Sequence, residues 1–307
     1  MDAEVIATYG RHLLLRDAQG AVRKARPQRR HLEIACGDRV ECEEAGTETL
    51  VTAIRPRDTV LRRSSLRARS ELLAANLTQL AAVLAPLPKP DLFVVDRFLC
   101  AAECAGLATF IVHNKEDLDD VGDFAADLAP YAALGYAIRG VSAARAIDDT
   151  SALEPLRAAL RGHTTILVGQ SGVGKSSITR LLSSDPSEIA VGALIKDEEG
   201  RHTTTASRLF ECDGGGRIMD SPGVRDFAPA IDDLEPSTLG FREVARLAQE
   251  CRFLDCSHMQ EPYCAVRAAV ESGAMDARRY ESYRRLRRLY DQLWERRPAA
   301  ERAARRS

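Results

Sequence analysis

The stretch Thr164-Thr165-Ile166-Leu167-Val168-Gly169-Gln170-Ser171-Gly172-Val173-Gly174-Lys175-Ser176-Ser177 decides the fold of the central region. Its first five residues are β-branched or apolar, which predicts a buried strand. The run from Ser176 to Leu182 predicts the start of a helix. Between them lies G-x4-G-K-S, a glycine-rich loop set between a strand and a helix N-terminus. Glycines there let backbone N–H groups close round phosphates, and the helix N-terminus favours the negative charge. In such a loop the lysine, Lys175, reaches the outer phosphates and the serine, Ser176, ligates Mg²⁺. Every residue from Gly169 to Ser177 is therefore a candidate nucleotide contact.

On the N-terminal side, Asn114-Lys115-Glu116-Asp117 follows a second predicted strand, Ala108-Thr109-Phe110-Ile111-Val112. N-K-x-D after a strand is the guanine-reading element of GTPases. A carboxylate only accepts hydrogen bonds, so Asp117 suits the N1–H and exocyclic amine of guanine. Adenine presents no such pair of donors, which selects GTP over ATP. Val141-Ser142-Ala143 matches the base-contacting S-A element, adding Ser142 and Ala143. On the other side, Asp220-Ser221-Pro222-Gly223 is a D-x-x-G that senses a γ-phosphate through Asp220 and Gly223. The usual order puts the phosphate loop before the base reader. Here the order is reversed, which predicts a circularly permuted α/β P-loop GTPase domain. The nucleotide-sensitive switch then abuts whatever follows it.

The 307 residues, 45% hydrophobic and free of long low-complexity tracts, suggest two or three folded domains. The start Met1-Asp2-Ala3-Glu4 has no basic and apolar leader, and no run approaches 18 apolar residues. A soluble cytoplasmic protein without membrane attachment is the expectation. Eight scattered cysteines in a chain of this size argue against a disulfide framework. The net charge of −2 hides an asymmetry: residues 1–70 carry 14 basic and 10 acidic residues, and residues 277–307 carry 11 and 4. Basic ends around an acidic centre fit a polyanion gripped by the flanks. Solvated helical faces are the competing reading of the same charges.

Short strands are predicted at Val5–Tyr9, Arg11–Arg16, Asp38–Glu43 and Thr49–Ile54, with a turn at Asp17-Ala18-Gln19-Gly20. They fit a small N-terminal β-barrel, of which the OB-fold is the commonest that binds nucleic acid. Arg23-Lys24-Ala25-Arg26 and Gln28-Arg29-Arg30 are expected on its loops. Leu66–Ser70 reads as a polar connector before a strand over Leu77–Ala85, and Asp91–Ala105 as a helix. Cys100 and Cys104, at i and i+4 on that helix, read as core residues, as do Cys36, Cys42 and Cys212. The divisions expected are 1–70, 71–235 and 236–307.

Cys251, Cys256, His258 and Cys264 form C-x4-C-x-H-x5-C. Three thiolates and an imidazole complete the tetrahedral shell of a closed structural zinc site, although the spacing is not that of a standard zinc finger. Buried cysteines are the alternative. Beyond them, Arg278–Arg297 reads as a helix with a stripe of Tyr280, Tyr283, Leu286, Leu289, Tyr290 and Leu293. The stripe suits packing, and Arg284, Arg285, Arg287 and Arg288 on the other faces suit phosphate contacts.

These features together resemble the ribosome small subunit-dependent GTPase A family over nearly the full length. The resemblance is carried by the OB-like front, the permuted motif order, G-x-S-G-V-G-K-S-S, Arg201-His202-Thr203-Thr204-Thr205, Asp220-Ser-Pro-Gly-Val-Arg-Asp and the C-x4-C-x-H-x5-C tail. It implies a GTPase acting late in maturation of the small ribosomal subunit, stimulated by that subunit and binding its rRNA. It implies hydrolysis of GTP to GDP with Mg²⁺, one structural Zn²⁺ and a monomeric protein with a helical zinc-binding C-terminal domain. Thr204 is then the switch threonine on Mg²⁺ with Ser176, and Thr203 is its rival. Val224 occupies the position where related enzymes place a water-orienting glutamine. A valine cannot orient water. His202, whose imidazole titrates near neutrality, is the candidate catalytic group, with an ordinary loop histidine as the alternative. An RNA-binding assembly factor in which GTP only tunes affinity is the competing functional reading. A small-molecule kinase is disfavoured by Asn114–Asp117.

Overall fold

The computed structural model describes residues 1–10, 12–29, 31–46, 48–64, 70–118, 124–184, 207–220, 227–230 and 232–296. Five strands open the chain: β1 (Asp2–Tyr9), β2 (His12–Asp17), β3 (Val22–Pro27), β4 (Arg39–Ala45) and β5 (Glu48–Ile54). They run in the order β1-β2-β3-β5-β4, and β4 returns to pair with β1, closing the barrel. Only the β3–β5 contact is parallel. This is the five-stranded closure of the OB-fold. Val5, Leu13, Leu15, Val40, Cys42 and Val51 alternate inward and fill it.

Arg23-Lys24-Ala25-Arg26, expected on a loop, instead lies within β3 and pairs with β2. Only Ala25 points inward there, so the period-two signal is nearly absent from the sequence. The outward arginines meet carboxylates on other strands of the barrel, Arg23 with Glu44 of β4 at 3.1 Å and Arg26 with Glu48 of the adjacent β5 at 2.5 Å. Much of the barrel's positive charge is therefore locally balanced.

A hairpin of β6 (Val60–Ser64) and β7 (Ser70–Ala75) follows. Ser70, expected at the end of a connector, begins β7, while 65–69 lie outside the described residues. The central sheet comprises β8 (Gln79–Leu84), β9 (Ala108–His113), β10 (Ala137–Gly140), β11 (Thr164–Val168), β12 (Ser207–Glu211) and β13 (Arg217–Asp220). Its order is β10-β9-β8-β11-β13-β12, parallel except for β12. Through Ala7 and Thr8, β1 pairs with β12, so barrel and central sheet are continuous. Arg217 secures that seam by donating to both carboxylate oxygens of Glu4 at 2.7 and 2.8 Å.

Strands β8 and β11 are buried on both faces, which explains why Leu80–Leu84 and Ile166–Val168 are apolar without alternation. Leu80, Ala82, Leu84, Ile166, Val168 and Met219 face one core, while Ala81, Val83, Leu167 and Ile218 face the other. The first core is covered by α1 (Leu92–Cys104) and α2 (Phe124–Ala133), the second by α3 (Glu154–Leu160) and α4 (Lys175–Leu182). A C-terminal unit adds α5 (Arg242–Leu247), α6 (Ala265–Glu271) and α7 (Ala277–Glu295). Among the described residues no helix is long and apolar enough to cross a membrane.

Helix α1 is buried on two sides. Val95, Phe98, Leu99 and Ala102 face the sheet, whereas Cys100, flanked by Phe93 and Cys104, joins the C-terminal core of Leu239, Phe241, Tyr283 and Leu286. Both helix cysteines are thus packing residues, as their spacing suggests. Gly240 lies against the carbonyl of Cys100 with φ +80°, and a β-carbon there would overlap that oxygen. Beside this contact Arg279, 1% exposed, donates to Asp96 at 2.6 Å and to Glu243 at 2.7 and 3.0 Å. Three charges buried together are tolerated because every one is hydrogen-bonded.

Candidate nucleotide site and metal centre

Because the strands of the central sheet run parallel, their carboxyl ends lie along one edge, where α/β folds bind ligands. The phosphate loop leaves β11, Asn114 follows β9, Val141-Ser142-Ala143 follows β10, and Asp220 ends β13. Permuting the chain leaves this edge unchanged, since strand neighbours and directions matter and chain order does not.

Asn114 organises the edge. Its backbone N–H donates to Leu84 at 2.8 Å, its Nδ2 to the Val173 carbonyl at 2.8 Å, and its Oδ1 accepts from Ala143 N at 3.1 Å. The residue is 1% exposed. Its carboxamide therefore ties the phosphate loop to the S-A element. The close approach requires Gly174, whose φ is +99° and whose missing β-carbon would overlap Asn114 Nδ2. Lys115 adopts φ +62°, and its ammonium donates to the carbonyls of Leu87 at 2.7 Å and Gly172 at 2.9 Å.

Glu116 and Asp117 lie in the short 3-10 turn Glu116–Leu118, both exposed. Asp117 accepts from Ser142 Oγ at 2.5 Å, and Ser142 in turn accepts from the Arg145 N–H at 3.1 Å. The Ser142 hydrogen bond lowers the Asp117 carboxyl below the usual aspartate range. Asp117 thus stays an acceptor, which is what reading guanine requires.

On the phosphate side, Ser171 and Gly172 are exposed and Val173 is buried as the loop's anchor. Lys175 Nζ lies 2.7 and 2.8 Å from the carbonyls of Gly169 and Gln170, which holds the ammonium over the loop. Ser176 and Ser177 are exposed on the first turn of α4. Asp220 is half-buried at the end of β13. His202, Thr203, Thr204, Gly223 and Val224 lie outside the described residues.

Sequence reading missed the segment between β8 and α1. Besides the Leu87 carbonyl, Pro88 stands 3.5 Å from where a β-carbon of Gly172 would be, and the Asp91 N–H donates to Gln170 Oε1 at 3.1 Å. Pro86-Leu87-Pro88-Lys89-Pro90 was the available signal, since such a run fixes backbone direction at a strand end.

The C-terminal cysteines and histidine converge. Cys251, Cys256, His258 and Cys264 place their ligand atoms within 4.8 Å of one another. Nδ1 of His258 lies 3.5 Å from the sulfurs of both Cys251 and Cys264. The donor set fits a divalent cation. Burial pushes the Cys256 thiol up to about 12 and lowers the His258 pKa, so without a cation the buried thiols stay protonated. A metal reverses the first penalty by stabilising thiolates, and it requires the neutral imidazole that burial already favours. Glu261, which the sequence did not single out, gathers the N–H groups of Ser257, Met259 and Gln260 at 2.8 to 3.0 Å. Burial opposes its ionisation, but hydrogen bonds from Ser257 and these amides win and hold its carboxyl at about 2. From α7, Tyr280 and Tyr283 donate to the carbonyls of His258 and Ser257 at 2.7 and 2.8 Å. The aromatic stripe therefore buttresses the cysteine loop. Arg284, Arg285 and Arg288 contact Glu281, and Arg287 contacts Asp291.

The chain is similar in sequence and fold to known proteins. A family model described as RsgA GTPase matches residues 54–229. The small ribosomal subunit biogenesis GTPase RsgA of Neisseria meningitidis is 36% identical over 280 residues, covering 90% of this chain and 88% of that protein. The protein of the same name from Alcanivorax borkumensis is 37% identical over 291 residues, covering 91% and 81%. The crystal structure of YjeQ from Thermotoga maritima is similar with a TM-score of 0.68 at 27% identity, covering 96% of this chain and 99% of that one. That of YloQ, a circularly permuted GTPase, gives 0.66 at 25%, covering 97% and 96%.

Proposed function

The chain belongs to the RsgA GTPase family, and on that premise we propose that it hydrolyses GTP to GDP while assisting late maturation of the small ribosomal subunit, which stimulates its turnover. The observation that carries the reading is the Asn114 carboxamide, which joins the phosphate loop to the base-reading elements at one sheet edge. Asp117, held ionised by Ser142, accepts from N1–H and the exocyclic amine of guanine. The Ala143 N–H is committed to Asn114, so Ala143 acts by shaping the base site. N–H groups of the loop from Gly169 to Ser177 and the α4 N-terminus surround the phosphates, and Lys175 supplies the positive charge. The Ser176 hydroxyl holds Mg²⁺ together with Thr204, and Asp220 and Gly223 respond to the γ-phosphate. Mg²⁺ supplies neutralisation of the phosphate charge in phosphoryl transfer. Val224 has no group that could orient water, so His202 is assigned that role.

Cys251, Cys256, His258 and Cys264 hold a structural Zn²⁺, which stabilises the fold and takes no part in hydrolysis. The chain divides functionally into 1–70, 71–235 and 236–307. Its barrel and arginine-rich α7 contact rRNA, and it works as a cytoplasmic monomer. Since many of these arginines are paired with carboxylates, binding requires some pairs to exchange for phosphates, and affinity should fall steeply with salt. Val224 also favours a second reading, an RNA-binding assembly factor whose affinity GTP tunes without significant turnover. GTP turnover measured with and without small subunits separates the two.

A further inference from the structure

We propose that α1 is a strut that sets the phosphate loop, with Gln170 at its tip and Arg278 and Arg279 at its middle acting as positioning residues for nucleotide binding. The proposal rests on reading 114–117 and 169–177 as the guanine-nucleotide site.

Gln170 is bound in two directions. Its main-chain carbonyl receives the Lys175 ammonium at 2.8 Å, while its side-chain oxygen accepts the Asp91 N–H at 3.1 Å. Asp91 is also the N-cap of α1, accepting from Phe93 N at 3.0 Å and Val94 N at 3.4 Å. The phosphate-binding lysine is therefore two hydrogen bonds from the first turn of a buried helix. The Lys115 ammonium, shared between Leu87 and Gly172 carbonyls, makes a parallel tie between the same two segments.

Five residues along, about 7–8 Å of helix, the strut is gripped near its middle. Asp96 is fully buried and accepts from Tyr131 at 2.7 Å, Arg279 at 2.6 Å and Arg278 at 2.8 Å. Arg279 continues to Glu243 on α5, with its guanidinium 4.7 Å from the Phe241 ring centre. This grip cannot slide by small amounts, because any shift of Asp96 strands a buried charge. The height of α1, and with it the Asp91 N–H offered to Gln170, is thus set by the docking of α5 and α7. Loosening that docking weakens GDP and GTP binding together and leaves guanine choice, which rests on Asp117, unaltered. By linkage, bound nucleotide must steady α7 by the same factor.

The test is a double-mutant cycle on the zinc-loaded full chain, read by titration with fluorescent GDP. Gln170→Met removes the acceptor at similar length and should raise Kd about fivefold, the worth of one hydrogen bond. Arg278→Gln lies on the solvent side of the grip, so folding is spared, and should raise Kd about threefold. The double variant should be weaker by less than the product of the two. Amide exchange across α7 should slow when GDP binds the wild type and should not do so in Gln170→Met. Wild-type affinity in Arg278→Gln, effects that multiply, or an equal α7 response in Gln170→Met would each overturn the strut. If the wild type bound no guanine nucleotide, the reading of the site itself would fail, a result separable from the others.

Discussion

Asn114 donates its Nδ2 hydrogen to the carbonyl oxygen of Val173 at 2.8 Å, across 59 residues of chain. The bond joins the first residue of the base reader to the anchor of the phosphate loop. A nucleotide bound at the edge must bridge the same gap, so the carboxamide fixes the spacing of its two subsites. Asn114→Ala would leave the Val173 carbonyl and the Ala143 N–H buried without partners, at about 1–3 kcal/mol each. Isothermal titration should show GDP and GTP affinity falling together, with a lowered melting temperature. Loss of one nucleotide's affinity alone would contradict this role.

In the proposed site Asp117 is the acceptor pair for guanine. Replacing it in Asp117→Asn introduces a donor facing position 2 of the base, which suits the carbonyl of xanthine. Competition binding should show preference moving from GTP to xanthosine triphosphate. Unchanged GTP selectivity would remove Asp117 from the base site.

The Ser142 hydrogen bond depresses the Asp117 pKa, so the carboxylate form persists to lower pH than usual. Guanine binding needs that form, is complete above the pKa and fades as pH falls through it. Ser142→Ala raises the pKa, and the acid limb of GDP binding should move to higher pH. An acid limb at the same pH in both proteins would show that another group limits binding.

Metal analysis should find one zinc per chain, bound by Cys251, Cys256, His258 and Cys264. Cys256→Ala, or removal of the metal by a chelator, should expose the region after residue 236 to protease, because structural zinc contributes directly to folding. Tyr280 and Tyr283 bind the cysteine loop, so α7 should loosen with it. Absence of zinc with protease resistance intact would refute the assignment.

The phosphate loop and its strand were legible because Thr164–Val168 is buried on both faces and reads as an unbroken run of β-branched and apolar residues. Motif spacing likewise carried the four metal-ligand candidates, whose distances are set by local chain. Strand β3 was not legible, since its outward charges outnumber its single inward alanine. The β6–β7 hairpin escaped because Val60-Leu61-Arg62-Arg63-Ser64 has no alternation to mark it and no turn dipeptide follows. The Asp96–Arg279 pair was invisible for a different reason. Arg279 sits in a run of helical arginines that reads as a solvated face, and its partner is 183 residues away. Only tertiary packing separates the buried Arg279 from the half-buried and exposed arginines around it.

Steady-state GTP turnover by the full chain, alone and with small ribosomal subunits, distinguishes a ribosome-stimulated GTPase from an RNA-binding factor whose affinity GTP tunes. Turnover should be slow alone and rise greatly with subunits, and His202→Ala should retain GTP affinity while losing about 10²- to 10⁴-fold of the stimulated turnover. Val224→Ala should cost far less. Stimulated turnover surviving His202→Ala within a few-fold would assign the catalytic group to the ribosome. Turnover indifferent to small subunits would contradict the account and leave an RNA-binding factor in which GTP only tunes affinity.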